Sequence, residues 1–224
     1  MRFGSILDLF KDDNWSNELV GRVSEMLELA ESMFTYASGV VIFGQADTNP
    51  QGQLYDRDKR INKLERKIRR RVVSHLAHHQ QGADIPSSLI FMNVVKDGER
   101  LGDYIKNLHE VGEMMPEKAQ HELLQKYLEK PTRTISELFV QTREAFAQSD
   151  EAVAGQLIKT AKAEGRSHEE LIRKITKSDL QTHEAVCLVL VLRFYKRLVG
   201  HMSNIASTVV MPVDMIDFYD ESDN

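Results

Sequence analysis

Acidic and amide side chains recur at helical spacing in the first half of the chain, where they could bind a cation. Glu99 and Asp103 lie four residues apart in the stretch Glu99-Arg-Leu-Gly-Asp103, so both would project from one face of a helix. Asp58, Asn62 and Glu65 share a helix face in the same way. Oxygen ligands of this kind suit a hard or borderline metal ion, namely iron, manganese, magnesium or calcium.

These two groups of side chains would meet if their helices were antiparallel neighbours. The midpoint between Asn62 and Asp103 falls at a predicted turn, Gly82-Ala83, which would place those two side chains opposite each other and Glu65 near Glu99. Carboxylates at such spacing repel one another unless a cation neutralises them. A metal ion is one solution, and basic side chains of the same helices are the other, so the pattern alone leaves both open.

The spacing of apolar residues predicts the helices that would position these groups. Apolar side chains recur at three- and four-residue steps, no segment shows sustained strand alternation, and only 5 prolines and 12 glycines interrupt the 224 residues. Pro131 is expected to kink the fourth long helix. The predicted helices are a short entry helix at 3–10 and long helices at about 15–43, 54–80, 86–111, 117–148, 151–176 and from 178 or 182 to 210.

This order of elements predicts an all-α fold of two tandem antiparallel three-helix bundles. A weak internal repeat supports it, because the stretch from Leu101 to Leu108 parallels the stretch from Leu198 to Ile205. We therefore divide the chain into a first three-helix unit with the entry helix at 1–112, a second unit at 113–212 and an acidic tail at 213–224.

Composition narrows the class of protein. A net charge of -5 disfavours nucleic-acid binding. Cys187 is the single cysteine, which excludes an internal disulfide and a cysteine-based zinc site, and its apolar surroundings predict a buried thiol.

The longest apolar run, 185–192, is far shorter than the ~20 residues that span a bilayer. No signal-peptide core opens the chain, so we expect a cytoplasmic protein, either free or peripheral to the inner membrane face.

Two motifs carry a family resemblance. Asp58-Lys-Arg-Ile-Asn62, followed by Leu64-Glu65 and Ile68, resembles the second-helix pattern of PhoU domains. Glu99-Arg-Leu-Gly-Asp103, with Asn107-Leu108, resembles their third-helix Glu-Arg-Ile-Gly-Asp signature. The opening stretch, residues 4–10, resembles the branch that accompanies low-affinity phosphate transporters.

The resemblance implies two tandem three-helix repeats, metal binding through Glu/Asp-x-x-x-Asp pairs and modulation of phosphate uptake. It implies a regulator rather than an enzyme, a phosphate transporter or its sensor kinase as partner, and a homo-oligomer such as a dimer.

The second half departs from the family pattern. Lys196 stands in the place of the signature glutamate and Gly200 in the place of the aspartate. Glu164 and His168, four residues apart, and His201 remain as candidate ligands of a second metal. The midpoint of 168 and 200 falls inside a predicted helix rather than at a turn, so we expect one metal site or none rather than two.

Other features admit alternative functions. A run of nine basic residues from Arg57 to Arg71 could bind a phosphate-rich partner or an anionic membrane face, although such a run is usually a solvated helix face. His75, His78 and His79 are expected at a solvated helix end. A metal-dependent hydrolase or oxidase using the carboxylates, and a metal-free helical adaptor, remain open. No nucleophile elbow, P-loop, dinucleotide fingerprint or His-Glu-x-x-His motif occurs.

Overall fold

The computed structural model describes residues 14–78, 85–114 and 119–218. These residues form six long α-helices and no strand. A π-helical turn, Gln51–Tyr55, leads directly into the second helix, and a short 3-10 helix, Val213–Met215, follows the sixth. The long helices are α1 (Asn14–Val41), α2 (Asp56–His78), α3 (Ile85–Glu113), α4 (Ala119–Gln148), α5 (Glu151–Ile175) and α6 (Thr182–Val210).

Local sequence signals explain where the later helices begin. The Asp150 side chain accepts hydrogen bonds from the backbone N–H groups of Ala152 and Val153, at 2.9 and 3.0 Å, and so caps the N-terminus of α5. Gln181 and Glu184 form a capping box at the start of α6. The α4 helix continues through Pro131 as one element.

The helices pack as two bundles of three that share one core. Helices α1, α2 and α3 contact one another, α6 packs on both α4 and α5, and α4 also contacts α5. The bundles join because α1 packs on α4 and α3 packs on α6, which leaves α2 and α5 on the outside. Phe34 on α1 meets Phe139 on α4 at a ring-centroid distance of 5.3 Å within the shared core.

The predicted all-α fold of two three-helix bundles is confirmed. The apolar residues that recur at three- and four-residue steps along α1 are all buried, as is the Cys187 thiol; on α1 they are Leu19, Val23, Met26, Leu27, Ala30, Met33, Phe34 and Ala37. On α2, Leu76 has the same apolar spacing, yet it is 39% exposed. The entry helix at 3–10, His79, part of the boundary at 112–116 and the last six residues of the acidic tail lie outside the described residues.

No helix among the described residues is long and apolar enough to cross a membrane. The proposed division into units at 112/113 stays a prediction.

Candidate functional site

Four carboxylates, from Asp58, Glu65, Glu99 and Asp103, gather between α2 and α3 and are called here the acidic cluster. Asp58 on α2 lies against Gly102 on α3. A Cβ atom built at this glycine would be 3.5 Å from Asp58 Oδ1. Asn62 donates from its side-chain amide to Asp58 Oδ2 at 3.3 Å on the same helix. The sequence prediction that these residues share one region is in keeping with this geometry.

A lysine from α3 stands between two of these carboxylates. The Lys106 Nζ atom lies 3.0 Å from Asp58 Oδ1 and 3.2 Å from Asp103 Oδ1. Burial lowers the pKa of Lys106, but its hydrogen bonds to Asp58 and Asp103 outweigh that effect, so the pKa is raised overall. The ammonium group therefore stays charged and bridges the two helices.

The other two carboxylates have arginine partners. Arg69 pairs with Glu65 at 2.8 Å on α2. On α3, Arg100 lies 3.7 Å from Glu99 and 3.2 Å from Asp103. The pKa of Glu99 is nevertheless raised, chiefly by burial and next by repulsion from Asp103, with Arg100 opposing. Repulsion from Glu65 on α2 adds a smaller contribution in the same direction.

Basic side chains, rather than a ready set of metal ligands, surround the acidic cluster. Within residues 14–78, 85–114 and 119–218, no group of three or more His, Cys, Asp or Glu side chains is arranged to hold a metal ion. Basic side chains already bond each carboxylate, and Lys106 occupies the position between Asp58 and Asp103 that a bridging cation would take. A metal at this place stays a prediction, and it requires the lysine to move away.

The candidate ligands of the second half divide between two places. On α5, His168 Nε2 lies 3.4 Å from Glu164 Oε2, a contact that is too poorly aligned to count as a hydrogen bond. The His168 ring is 1% exposed, and its pKa is lowered to about 4, first by burial and then by the charge of Lys196. A neutral, packed imidazole results, beside a glutamic acid whose pKa is raised by burial.

His201 bonds instead to the first half of the chain. Its Nδ1 atom lies 2.7 Å from Oδ1 of Asp97, a carboxylate of α3 that is only 5% exposed. Asn204 donates to the same oxygen at 3.4 Å, and the imidazole stacks on Tyr104 with a centroid distance of 5.5 Å. His201 is therefore part of the interface between the bundles.

A cluster of basic and amide side chains on α6, called here the basic face, lines a surface cavity of about 280 Å³. Lys196 in this cluster forms an ion pair with Glu169 of α5. The residues that line the cavity are Arg193, Lys196, Arg197, Gly200, His201 and Asn204.

Residues 23–111 match the family model of the PhoU domain. The first half of the chain therefore resembles a PhoU domain. Its fold is similar to the crystal structure of PhoU from Pseudomonas aeruginosa, with a TM-score of 0.74 and 21% identity over 86% of this chain and 94% of that one. It is also similar to the phosphate transport system regulatory protein PhoU from Streptococcus pneumoniae, with a TM-score of 0.70 and 16% identity over 88% and 95% of the two chains. No curated protein sequence matches the chain.

Two residues that make these contacts, Lys106 and Asp97, were not predicted from the sequence. Lys106 could have been found, because it lies three residues after Asp103 and its midpoint with Asp58 falls at the predicted turn between α2 and α3. Asp97 gave no such signal, since its partner His201 lies 104 residues away.

The expectation that His75 is solvated was wrong. The ring is 4% exposed and stacks on Trp15 at a centroid distance of 3.8 Å, whereas His78 is exposed as predicted.

Proposed function

We propose that this PhoU-like protein regulates phosphate uptake by acting on a phosphate transporter, or on its sensor kinase, at the cytoplasmic face of the membrane. The observation that carries the proposal is the PhoU-domain match over 23–111, together with a fold shared across most of the chain. One of the structures that it resembles is named as a phosphate transport system regulatory protein. The role is regulatory rather than catalytic, and the protein acts as a homo-oligomer.

The described residues favour this role over a hydrolase or oxidase. The carboxylates that a metal-dependent enzyme would use are bonded to Lys106, Arg100 and Arg69. His168, which lies beside Glu164 on α5, is packed in the interior rather than open to a substrate. A surface that binds another protein needs no such constellation.

A divalent cation at the acidic cluster is a separate proposal. Asp58, Asn62, Glu65, Glu99 and Asp103 offer oxygen atoms only, which favours iron, manganese, magnesium or calcium over a structural zinc. The ion would have to displace Lys106. The regulatory role does not depend on it, because a metal-free cluster neutralised by lysine and arginine can serve an adaptor equally well.

Deletion of the gene tests the regulatory role. We expect altered uptake of radiolabelled phosphate and altered phosphate-responsive expression, both restored by the wild-type gene. Restoration by a Glu99→Ala/Asp103→Ala variant, checked for unchanged helical content, would show that the role does not need the acidic pair. Unchanged uptake and unchanged expression after deletion would refute the proposal.

A further inference from the structure

The basic face of α6 differs from an ordinary solvated helix surface because its donors converge on a cavity. Arg193, Arg197 and His201 follow one another at four-residue steps, so their side chains lie along one side of the helix. Lys196 and Asn204 flank them around the same cavity of about 280 Å³. No lining side chain carries a carboxylate, so every side-chain group that faces the space can donate a hydrogen bond.

The two arginines are available to a ligand. Neither Arg193 nor Arg197 has a carboxylate within 4.0 Å in the part of the chain that the structure describes, and both are exposed. Guanidinium groups pair with phosphate oxygens in a planar, two-pronged geometry, which suits them to oxyanions better than lysine. Lys196 already has Glu169 as a partner, so it contributes charge rather than a free donor.

Other residues fix the orientation of the remaining donors. Asp97 holds the Nδ1 atom of His201 at 2.7 Å and accepts from the Asn204 amide at 3.4 Å. The imidazole is further fixed by stacking on Tyr104. Since Nδ1 donates to Asp97, Nε2 is the ring nitrogen left for a ligand: it accepts from a protonated phosphate oxygen when the ring is neutral and donates when the ring is protonated.

Gly200 leaves room at the centre of the face. A Cβ atom added there would meet no other atom within 4 Å, apart from its own helix backbone. Glycine inside a helix costs about 1 kcal/mol relative to alanine, and here no close neighbour requires it. The missing side chain keeps the cavity open between the arginines and Asn204.

We propose that the basic face of α6 binds a phosphate group, either inorganic phosphate or the phosphate-monoester headgroup of a lipid. Two guanidinium groups that have no ion-pair partner within 4.0 Å among the described residues, an oriented imidazole and an amide surround an open cavity that no carboxylate residue lines. The proposal concerns binding alone, so its test needs no transporter and can fail while the regulatory role holds.

Titration calorimetry of the purified full chain with inorganic phosphate at low ionic strength tests the site. We expect phosphate binding, and a loss of at least about tenfold in affinity in the Arg193→Gln/Arg197→Gln variant, because two charge-assisted contacts are removed. Gly200→Leu should weaken binding similarly by filling the cavity while keeping every positive charge. The control is Arg133→Gln/Arg166→Gln, which removes two exposed arginines elsewhere and should leave the affinity within about twofold.

Vesicles separate the two sources of the phosphate group. Sedimentation with phosphatidylcholine vesicles that contain phosphatidic acid, compared with phosphatidylcholine alone, reports a lipid headgroup. Binding that is lost in the Arg193→Gln/Arg197→Gln and Gly200→Leu variants supports the site in either assay. The proposal is overturned if the wild type binds neither these vesicles nor inorganic phosphate with a dissociation constant below about 1 mM. It is also overturned if both variants bind as tightly as the wild type does.

Discussion

Helices α3 and α6 hold corresponding places in the two bundles, yet they carry opposite charge on their exposed sides. The internal repeat pairs Glu99 with Lys196 and Asp103 with Gly200. On α3 these positions belong to the acidic cluster, which recruits Lys106 as its cation. On α6 they belong to the basic face, which has no lining carboxylate. Packing and surface chemistry therefore depend on different faces of the same helix, and one can change without the other.

The contact between these two helices shows the same divergence on its buried side. The repeat relates Asp97 to Phe194 and Tyr104 to His201. Accordingly, the Asp97–His201 contact at 2.7 Å is the counterpart of the Phe194–Tyr104 ring contact at 6.2 Å. One member of the pair is a charge-assisted hydrogen bond and the other is an aromatic contact. Both hold α3 against α6.

The largest expected effect comes from breaking the polar member of this pair. Asp97→Ala should lower the free energy of unfolding by about 2–4 kcal/mol, because His201 and Asn204 lose their buried acceptor. Asp97→Asn keeps an acceptor oxygen and should lose less. Urea denaturation at pH 7 measures both variants. An Asp97→Ala variant as stable as the wild type would show that the aromatic contact alone holds the helices together.

The next largest effect concerns the cation of the acidic cluster. Lys106→Met should destabilise the protein by about 1–3 kcal/mol, because the mostly buried Asp58 carboxylate loses its ammonium partner. Manganese or magnesium should then raise the melting temperature of this variant more than that of the wild type. Adding Glu99→Ala and Asp103→Ala should abolish the metal effect.

Lys59→Met is the matched control, since Lys59 is an exposed α2 lysine paired with Asp56. If metal stabilises the Lys59→Met and Lys106→Met variants equally, Lys106 does not occupy the cation position. Bound metal located near Lys196 would contradict the assignment to the first half altogether.

The smallest effect at neutral pH concerns the outer helix α5. His168 has a folded-state pKa of about 4, below the ordinary value of 6.5, so the unfolded chain binds the extra proton as the pH falls through that interval. Stability should therefore fall between pH 6.5 and 4, by up to about 1.4 kcal/mol per pH unit. Glu164 has a raised pKa, and its contribution has the opposite sign, being lost as the pH rises above 4.5.

Comparison of variants isolates the histidine from the glutamic acid. His168→Leu should remove the acid-dependent loss of stability seen in the wild type, as measured by urea denaturation across this pH range. His183→Gln, at an exposed position near the start of α6, should leave the loss unchanged. An identical pH dependence in the wild type and His168→Leu would show that His168 is not the group that titrates.

Periodicity in the sequence was enough to predict the helices and their antiparallel order, because burial of apolar side chains at three- and four-residue steps is a local property. It also predicted that the acidic residues of α2 and α3 lie close together, since these two helices follow each other in the chain and residues equidistant from the predicted turn should meet. The rule does not reach Asp97 and His201, which meet only because the second bundle packs on the first. His75 escaped prediction for a related reason, as its partner Trp15 lies on another helix 60 positions away.

These contacts of α3 with α6 have the form of a symmetric dimer interface: Asp97 meets His201, and the counterpart of Asp97, Phe194, meets the counterpart of His201, Tyr104. Two identical subunits related by such an axis would have to carry the same charges, and any substitution would appear twice. Joining the two copies in one chain lifts that restriction, so each copy can accumulate substitutions alone. One copy could keep its acidic residues while the other became basic. The molecule then has an uneven distribution of charge that no homodimer of either half could have.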